Sequence, residues 1–113
     1  MYSKELIKGT LKTIILKLLE DNSRMYGYEI TQRVKELSEG KILIKEGSLY
    51  PALHKLVDDG MLETEKEMIG KRVRVYYKLT TDGKTATENK LKELQGFIQT
   101  ISLIIKPQQA FNS

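Results

Sequence analysis

The sequence predicts a mainly α fold with a small β-hairpin and a long C-terminal helix. Three observations support this prediction. Apolar residues recur every three or four positions in three short segments before residue 60, they alternate with polar residues between 61 and 79, and a helical period returns from Thr81 to Ile105. A chain of 113 residues is long enough for one hydrophobic core. We therefore expect three short helices, one hairpin and a fourth, longer helix.

The first two helices are predicted on either side of a turn at residues 21–23. The first spans Ser3–Glu20, with Ser3 as its N-cap. Its apolar stripe comprises Leu6, Ile7, Leu11, Ile14, Ile15, Leu18 and Leu19. The second spans Tyr26–Glu39, and Gly40 follows where glycine commonly ends a helix. Its core-facing residues are Ile30, Val34 and Leu37, and Lys41–Lys45 is then a short extended linker.

The third helix is predicted over Glu46–Asp59 and ends at Gly60. Its inward residues are Leu49, Leu53, Leu56 and Val57, and its outward residues are Tyr50, Pro51, His54, Lys55 and Asp58. Because proline lacks an amide hydrogen, Pro51 is tolerated only in a first turn. This helix should therefore begin near Gly47 or Ser48, or bend there. We interpret Gly27 and Gly47 as positions of close backbone approach.

The hairpin is predicted from two strands, Met61–Glu67 and Val73–Leu79, joined by a turn over residues 68–71. In the second strand, Val73, Val75, Tyr77 and Leu79 share one face, and Arg72, Arg74, Tyr76 and Lys78 share the other. The hairpin should therefore have a basic, aromatic outer face. Glu63, Glu65 and Glu67 share one face of the first strand, where we expect a solvated acidic surface rather than a metal site.

The fourth helix is predicted over Thr81–Ile105, capped by Thr81 or Asp82 and ended by Pro107. Leu91, Leu94, Ile98, Ile101 and Ile105 alternate three and four residues apart, which is the seam of a coiled coil, and Phe97 and Ile104 widen it. Because one small domain could not bury this seam, the pattern predicts a homodimer. Residues 1–80 should form one domain, and residues 81–113 a dimerisation helix with a polar, frayed tail at 108–113.

Composition excludes several classes of function. The chain has no cysteine and one histidine, His54, so thiol catalysis, disulfides and multi-histidine metal sites are excluded. No nucleophile or acidic partner is patterned around His54, and we expect no enzyme, cofactor or metal. No apolar run approaches the roughly 20 residues of a membrane span. Residues 1–8 lack the features of an export signal, so we expect a cytoplasmic protein.

The distribution of charge along the sequence indicates nucleic-acid binding more strongly than the net charge does. The net charge is +4 and the pI is about 9.2, which is only mildly basic. The segment at 70–78, however, contains Lys71, Arg72, Arg74 and Lys78 and no acidic residue. Such a local cluster can neutralise phosphates and release their counterions.

Three helices followed by a hairpin is the plan of a winged helix-turn-helix. In that plan the third helix enters the major groove of double-stranded DNA, which is roughly 12 Å wide, and the hairpin is the wing. The candidate DNA-binding residues come from the second helix, the third helix and the wing. They are Tyr26, Tyr28, Ser48, Tyr50, Pro51, His54, Lys55, Lys71, Arg72, Arg74 and Tyr76.

Four strings of residues resemble the PadR family of bacterial transcriptional regulators. They are YGYEI at 26–30, GSLYPALHKL at 47–56, DGML at 59–62, and Arg72 followed by YYxLTxxG at 76–83. The resemblance covers about Gly9 to Gly83 and implies a homodimeric repressor that binds an inverted repeat. The single terminal helix is similar to the smaller PadR subfamily, in which that helix supplies the dimer contacts. The corresponding residues are Leu91, Leu94, Phe97, Ile98, Ile101 and Ile105.

The sequence leaves two questions open: whether a small-molecule effector releases the DNA, and whether the partner is DNA or another protein. Some ligand-binding members of the family stack flat compounds on tryptophans at the dimer interface, and this chain has no tryptophan. If a small-molecule effector releases the DNA, its expected site is between the fourth-helix stripes and the first helix, near Phe97. The alternative function is a winged-helix module that binds another protein. The basic wing and the exposed Lys55 favour DNA, because a protein-binding helix would expose leucine or phenylalanine there.

Overall fold

A computed structural model describes residues 2–107 as four helices and one three-stranded antiparallel sheet. The elements in chain order are α1 (Lys4–Asp21), β1 (Met25–Tyr26), α2 (Gly27–Leu37), α3 (Glu46–Asp58), β2 (Leu62–Ile69), β3 (Arg72–Leu79) and α4 (Thr81–Ile105). The predicted mainly α fold with a winged helix-turn-helix and a long last helix is confirmed. The tail predicted at 108–113 lies outside the described residues. Within 2–107, none of the helices has the length and apolar character needed to cross a bilayer.

The core lies where the three short helices meet the root of the sheet. Its fully buried apolar side chains are Ile15 and Leu16 of α1, Ile30 of α2, and Leu49, Leu53 and Leu56 of α3. Leu62 and Tyr77 close the core from β2 and β3, and Ile44 closes it from the linker. The sequence stripe for the first helix was wrong at two places, because Leu16 is fully buried whereas Leu6 is 64% exposed.

The wing is larger than the predicted hairpin, because it includes a short third strand, β1. Its two residues pair with β3, Met25 opposite Tyr77 and Tyr26 opposite Tyr76, so the strand order is β1-β3-β2. The second helix therefore begins at Gly27, after the extended Tyr26, rather than at Tyr26. It also ends earlier than predicted, at Leu37, because Glu39 and Gly40 both have positive φ angles and cannot continue it.

The turn of the wing is shorter than predicted. Met68 and Ile69 belong to β2, and only Gly70 and Lys71 connect the strands. Gly70 has a φ of +63°, which places the left-handed residue at the first turn position, as in the two-residue turns that suit a twisted hairpin. The wing tip is therefore a tight reversal that carries Lys71 and Arg72.

Pro51 lies deeper in its helix than expected. The third helix begins at Glu46, as the predicted span has it and one residue before the start that Pro51 suggested, so Pro51 follows the first turn. Proline here cannot donate to the carbonyl four residues earlier, that of Gly47. The third helix therefore tolerates one missing bond on the exposed side, where Pro51 lies.

The fourth helix has the predicted limits but a different cap. Thr80, rather than Thr81 or Asp82, is the N-cap, and its hydroxyl accepts the amide hydrogen of Gly83 at 3.0 Å while donating to the carbonyl of Gly60 at 2.6 Å. Gly83 and Thr87 are buried against the rest of the fold. The later part of α4 leaves most of its apolar residues exposed, although Ile101 is half-buried.

Candidate nucleic-acid interface

A groove of about 520 Å³ runs between the start of α2, the outer face of α3 and the strand β3. Six of the predicted DNA-binding residues line it: Tyr26, Tyr28, Tyr50, His54, Arg72 and Arg74. Gly27, Ile69, Val73, Val75 and Tyr77 complete the lining. The groove therefore joins aromatic side chains from the helix-turn-helix to cations from the wing on one concave surface.

Tyr50 lies against the first turn of α2 because residue 27 is a glycine. A methyl group on the Gly27 Cα would stand 2.5 Å from the Tyr50 Oη, so the expected close approach at Gly27 is confirmed. Tyr50 also stands one turn from His54, with 6.4 Å between the ring centroids. At Gly47, no neighbouring atom of the described residues lies within 4 Å of such a methyl group, so the same expectation was wrong there.

Tyr77 forms an uncharged wall of the groove. The side chain is almost fully buried. Burial raises the pKa of the Tyr77 phenol, and the nearby Tyr50 raises it further. This wall of the groove therefore stays uncharged, and the positive charge of the groove comes from the arginines at its rim.

Arg74 is held at the groove rim by aromatic contacts. Its guanidinium lies 4.0 Å from the centroid of the Tyr26 ring, and its Nη1 donates to the Tyr76 Oη at 3.4 Å. The bond to Tyr76 is the main reason that the pKa of Arg74 is raised. Arg74 is thus fully charged and oriented before any ligand arrives.

Lys71 and Arg72 at the wing tip are arranged differently. Both are exposed, and across residues 2–107 neither has a carboxylate within ion-pair distance. Arg72 stands opposite Ile69 in the register, and Met68 and Val73 beside them are also exposed. The tip therefore presents two cations together with apolar side chains.

The predicted basic outer face of the wing is instead neutralised by carboxylates. The register pairs Glu63 with Lys78, Glu65 with Tyr76, and Glu67 with Arg74, which brings the acidic and basic rows onto one face. The Lys78 Nζ lies 2.6 Å from the Glu65 Oε1 and 3.5 Å from the Glu63 Oε1. The glutamates are therefore ion-paired rather than simply solvated, and the bonds from Lys78 and then Arg24 lower the pKa of Glu65.

Arg24 is the residue that sequence reasoning missed. Its Nη1 lies 3.1 Å from the Glu65 Oε2 and its Nη2 lies 2.7 Å from the Glu67 Oε2. Its guanidinium also covers the Tyr76 ring at 3.8 Å from the centroid. No local pattern marks Arg24, because its partners lie more than 40 positions later in the chain.

The remaining predicted site residues lie outside the groove. Ser48 and Pro51 are exposed near the start of α3, and Lys55 pairs with Asp59 at 3.1 Å in a solvent-exposed bridge. Tyr76 is half-buried and is not part of the groove lining, although it shares a strand face with Arg74 and accepts a hydrogen bond from it. The predicted seam residues of α4 are separate from the groove: Leu91, Leu94 and Ile101 are half-buried, whereas Phe97, Ile98 and Ile105 are exposed by 55% or more.

The chain is similar to known transcriptional regulators in sequence and in fold. The family model described as the transcriptional regulator PadR-like family matches residues 15–89. The transcriptional regulator Rv3488 of Mycobacterium tuberculosis is 32% identical over 92 residues, covering 81% of this chain and 82% of that protein. A solved transcriptional regulator from Clostridium thermocellum superposes with a TM-score of 0.84 at 29% identity, covering 94% of this chain and 100% of that one.

One solved relative contains nucleic acid. The crystal structure of Bacillus subtilis PadR in complex with operator DNA superposes with a TM-score of 0.65 at 28% identity. The superposition covers 91% of this chain and 51% of that one. The shared part is therefore nearly the whole of this chain.

Proposed function

Since the chain belongs to the PadR-like family of transcriptional regulators, we propose that it binds double-stranded operator DNA as a homodimer and represses transcription. It is a regulator and not an enzyme. The observation that carries the DNA-binding proposal is the groove, which combines aromatic residues of α2 and α3 with arginines of β3. The operator complex of Bacillus subtilis PadR supports it. A DNA-binding regulator is expected to act in the cytoplasm.

In the proposed binding mode, α3 contacts the bases and the wing contacts the phosphates. Phosphate contacts position a protein on DNA and base contacts specify the sequence. We assign base contacts to Tyr50 and His54 on the exposed face of α3, near Ser48 and Pro51, and phosphate contacts to Lys71, Arg72 and Arg74. Tyr28, which is 64% exposed at the start of α2, is assigned to the backbone on the other side of the groove.

We propose that residues 1–80 form the DNA-binding domain and that α4 forms the dimer interface. The support is the set of apolar residues that the single chain leaves exposed on α4: Phe97, Ile98, Leu103, Ile104 and Ile105. Tyr2 and Leu6 at the start of α1 are exposed as well. A two-fold dimer would present its two α3 helices roughly 34–36 Å apart, one turn of DNA, and would read an inverted repeat.

Arg72→Ala and Tyr50→Ala should affect DNA binding differently. Arg72→Ala should weaken operator and random DNA alike, and should reduce the slope of log affinity against log salt by about one unit for each phosphate that a subunit no longer neutralises. Tyr50→Ala should weaken operator binding about tenfold and random binding less, because it removes an interaction with the bases. Fluorescence anisotropy on both duplexes over a salt series measures this, with the operator selected from genomic fragments by the purified protein.

Lys92→Ala is the matched control, since Lys92 is an exposed cation on α4 outside the groove. It removes the same charge and should leave operator affinity close to that of the wild type. If Arg72→Ala and Tyr50→Ala also bind the operator normally while folded and dimeric, the groove is not the DNA surface. The protein-binding winged-helix module would then become the leading function. Repression itself is tested by a reporter under the selected promoter, whose expression should rise when the gene is deleted.

For release of the DNA we propose a small apolar effector that binds between α4 and α1 beside Phe97. The support is that Phe97 and Ile104, 60% and 67% exposed, extend the apolar surface beyond the seam. A ligand at about 100 times its Kd stabilises a protein by about 2.7 kcal/mol, enough to detect in a thermal-shift screen. Hits should lose their shift in Phe97→Ala. Hits that shift Phe97→Ala as much as the wild type would argue for another site.

A further inference from the structure

Arg24 makes three contacts with the wing from outside it. It lies between α1 and β1, and its two terminal nitrogens bond to separate carboxylates of β2, the Glu65 Oε2 at 3.1 Å and the Glu67 Oε2 at 2.7 Å. Its guanidinium plane covers the ring of Tyr76 on β3 at 3.8 Å. One side chain therefore contacts both long strands of the wing from the segment that leads into α2.

These contacts continue to the groove. The Tyr76 ring meets the Tyr26 ring edge-on, with centroids 5.6 Å apart and planes at 87°. The Tyr26 ring in turn lies under the Arg74 guanidinium at 4.0 Å, and Arg74 bonds back to the Tyr76 hydroxyl. We name Arg24, Tyr76, Tyr26 and Arg74 the arginine–tyrosine stack. It ends at a cation that lines the groove and at the residue that precedes α2.

The wing needs such a connection because little else holds its outer half. An isolated two-stranded hairpin is marginally stable in water. The root of the sheet is anchored by the buried Leu62 and Tyr77, whereas the residues from Glu67 to Val73 are all exposed. The backbone pairing between the wing and the segment that leads into α2 consists of the two residue pairs formed by β1. The angle between the wing and α3 therefore depends on side-chain contacts.

We propose that Arg24 is a positioning residue for DNA binding. It holds the wing against the start of α2, so that Arg74 and Tyr26 keep their places beside α3, and it does so without contacting DNA itself. The half of this inference that concerns DNA binding rests on the proposed function. Its structural half, the coupling of β1 to the wing, is measurable in the free protein.

The alternative role for Arg24 is to neutralise Glu65 and Glu67, which would otherwise repel DNA. Two variants separate the roles. Lys78→Ala removes a cation that lies 2.6 Å from the same Glu65 carboxylate, and no aromatic contact is present at that cation within the described residues. Arg24→Lys keeps the charge but loses the planar fork that reaches two carboxylates while stacking on Tyr76. Neutralisation predicts that Lys78→Ala is harmful and Arg24→Lys is not, and positioning predicts the reverse.

The experiment combines amide hydrogen exchange of the free protein with operator binding by anisotropy. In Arg24→Ala and Arg24→Lys, we expect the amides of Met25 and Tyr77, which face each other across β1 and β3, to exchange about fivefold faster than in the wild type. Operator affinity should fall about fivefold with an unchanged salt slope, since Arg24 neutralises no phosphate. Lys78→Ala should resemble the wild type in both measurements.

Three results would overturn the proposal. Normal exchange in Arg24→Ala would show that Arg24 does not couple β1 to the wing. Wild-type operator affinity in Arg24→Lys, or an equal loss in Lys78→Ala, would assign the effect to charge neutralisation. If the wild type binds no DNA, the proposed function fails together with the DNA half of this inference, and the exchange data still decide whether the stack holds the wing.

Discussion

The Ile98→Glu variant should be a folded monomer that no longer binds its operator. Ile98 is 55% exposed in the single chain, so the substitution leaves the core of the winged helix unchanged. In a two-fold dimer it would bring two unpaired carboxylates into an apolar seam, and burying an unpaired charge costs several kcal/mol. Sedimentation should give the mass of one chain at tens of micromolar. Operator affinity should fall by about a hundredfold or more, toward non-specific binding.

Gln99→Glu is the matched control for this prediction. It adds the same negative charge one position along α4, on an exposed residue outside the seam, and should leave the dimer intact. Circular dichroism should show equal helix content in both variants. A wild type that sediments as a monomer, or a dimeric Ile98→Glu, would contradict an interface built on α4.

Gly83→Ala should destabilise the protein strongly, although alanine is the better helix former. Gly83 is buried in the first turn of α4, and a methyl group there would overlap the carbonyl oxygen of Met61. That oxygen belongs to the backbone and also accepts the amide hydrogen of Thr80, so it cannot move aside cheaply. Overpacking of this kind costs about 1–3 kcal/mol, which lowers the Tm of a domain of this size by about 10 °C.

Gly96→Ala tests the same change in the same helix where space is open. Within residues 2–107, no atom outside the neighbouring turns of the helix backbone lies within 4 Å of a methyl group at Gly96, which is exposed and faces away from the seam. Alanine should therefore raise stability by about 0.5–1 kcal/mol per chain through helix propensity alone. Thermal melts of the two variants should move in opposite directions. Equal shifts would mean that helix propensity, rather than the contact with Met61, decides both.

Regular periodicity and terminal residues made the long elements predictable. The limits of α4 follow from the helical spacing and from Pro107, and those of α1 follow from its stripe and from Ser3, whose hydroxyl accepts the amide hydrogen of Leu6. Period-two alternation located β3 to within one residue. These features are local, because the hydrogen bonds of a helix and the side-chain alternation of a strand depend on neighbouring residues.

Two of the missed features depend on residues far apart in the chain. A strand of two residues, Met25–Tyr26, has no period to detect and exists because β3 offers it hydrogen bonds. The capping role of Thr80 also depends on a distant residue, because its hydroxyl donates a hydrogen bond to the carbonyl of Gly60, 20 positions earlier. The α4 cap was assigned one residue late because that bond is invisible along the sequence.

By itself, the sequence determined the fold class, the order of the four helices and the hairpin, the third helix with its exposed Tyr50 and His54, and the apolar stripe of α4. Only the tertiary structure decided which charges are available at the groove. The register of β2 on β3 and the position of Arg24 beside it bring Lys78 and Arg24 into ion pairs with the glutamates of the outer face. Arg74 stacks on Tyr26. Lys71 and Arg72 are left without an acidic partner in the described chain. The physical reason is that a helix or strand is specified by contacts a few residues apart, whereas the electrostatics of a site depend on distances that exist only after distant segments have packed together.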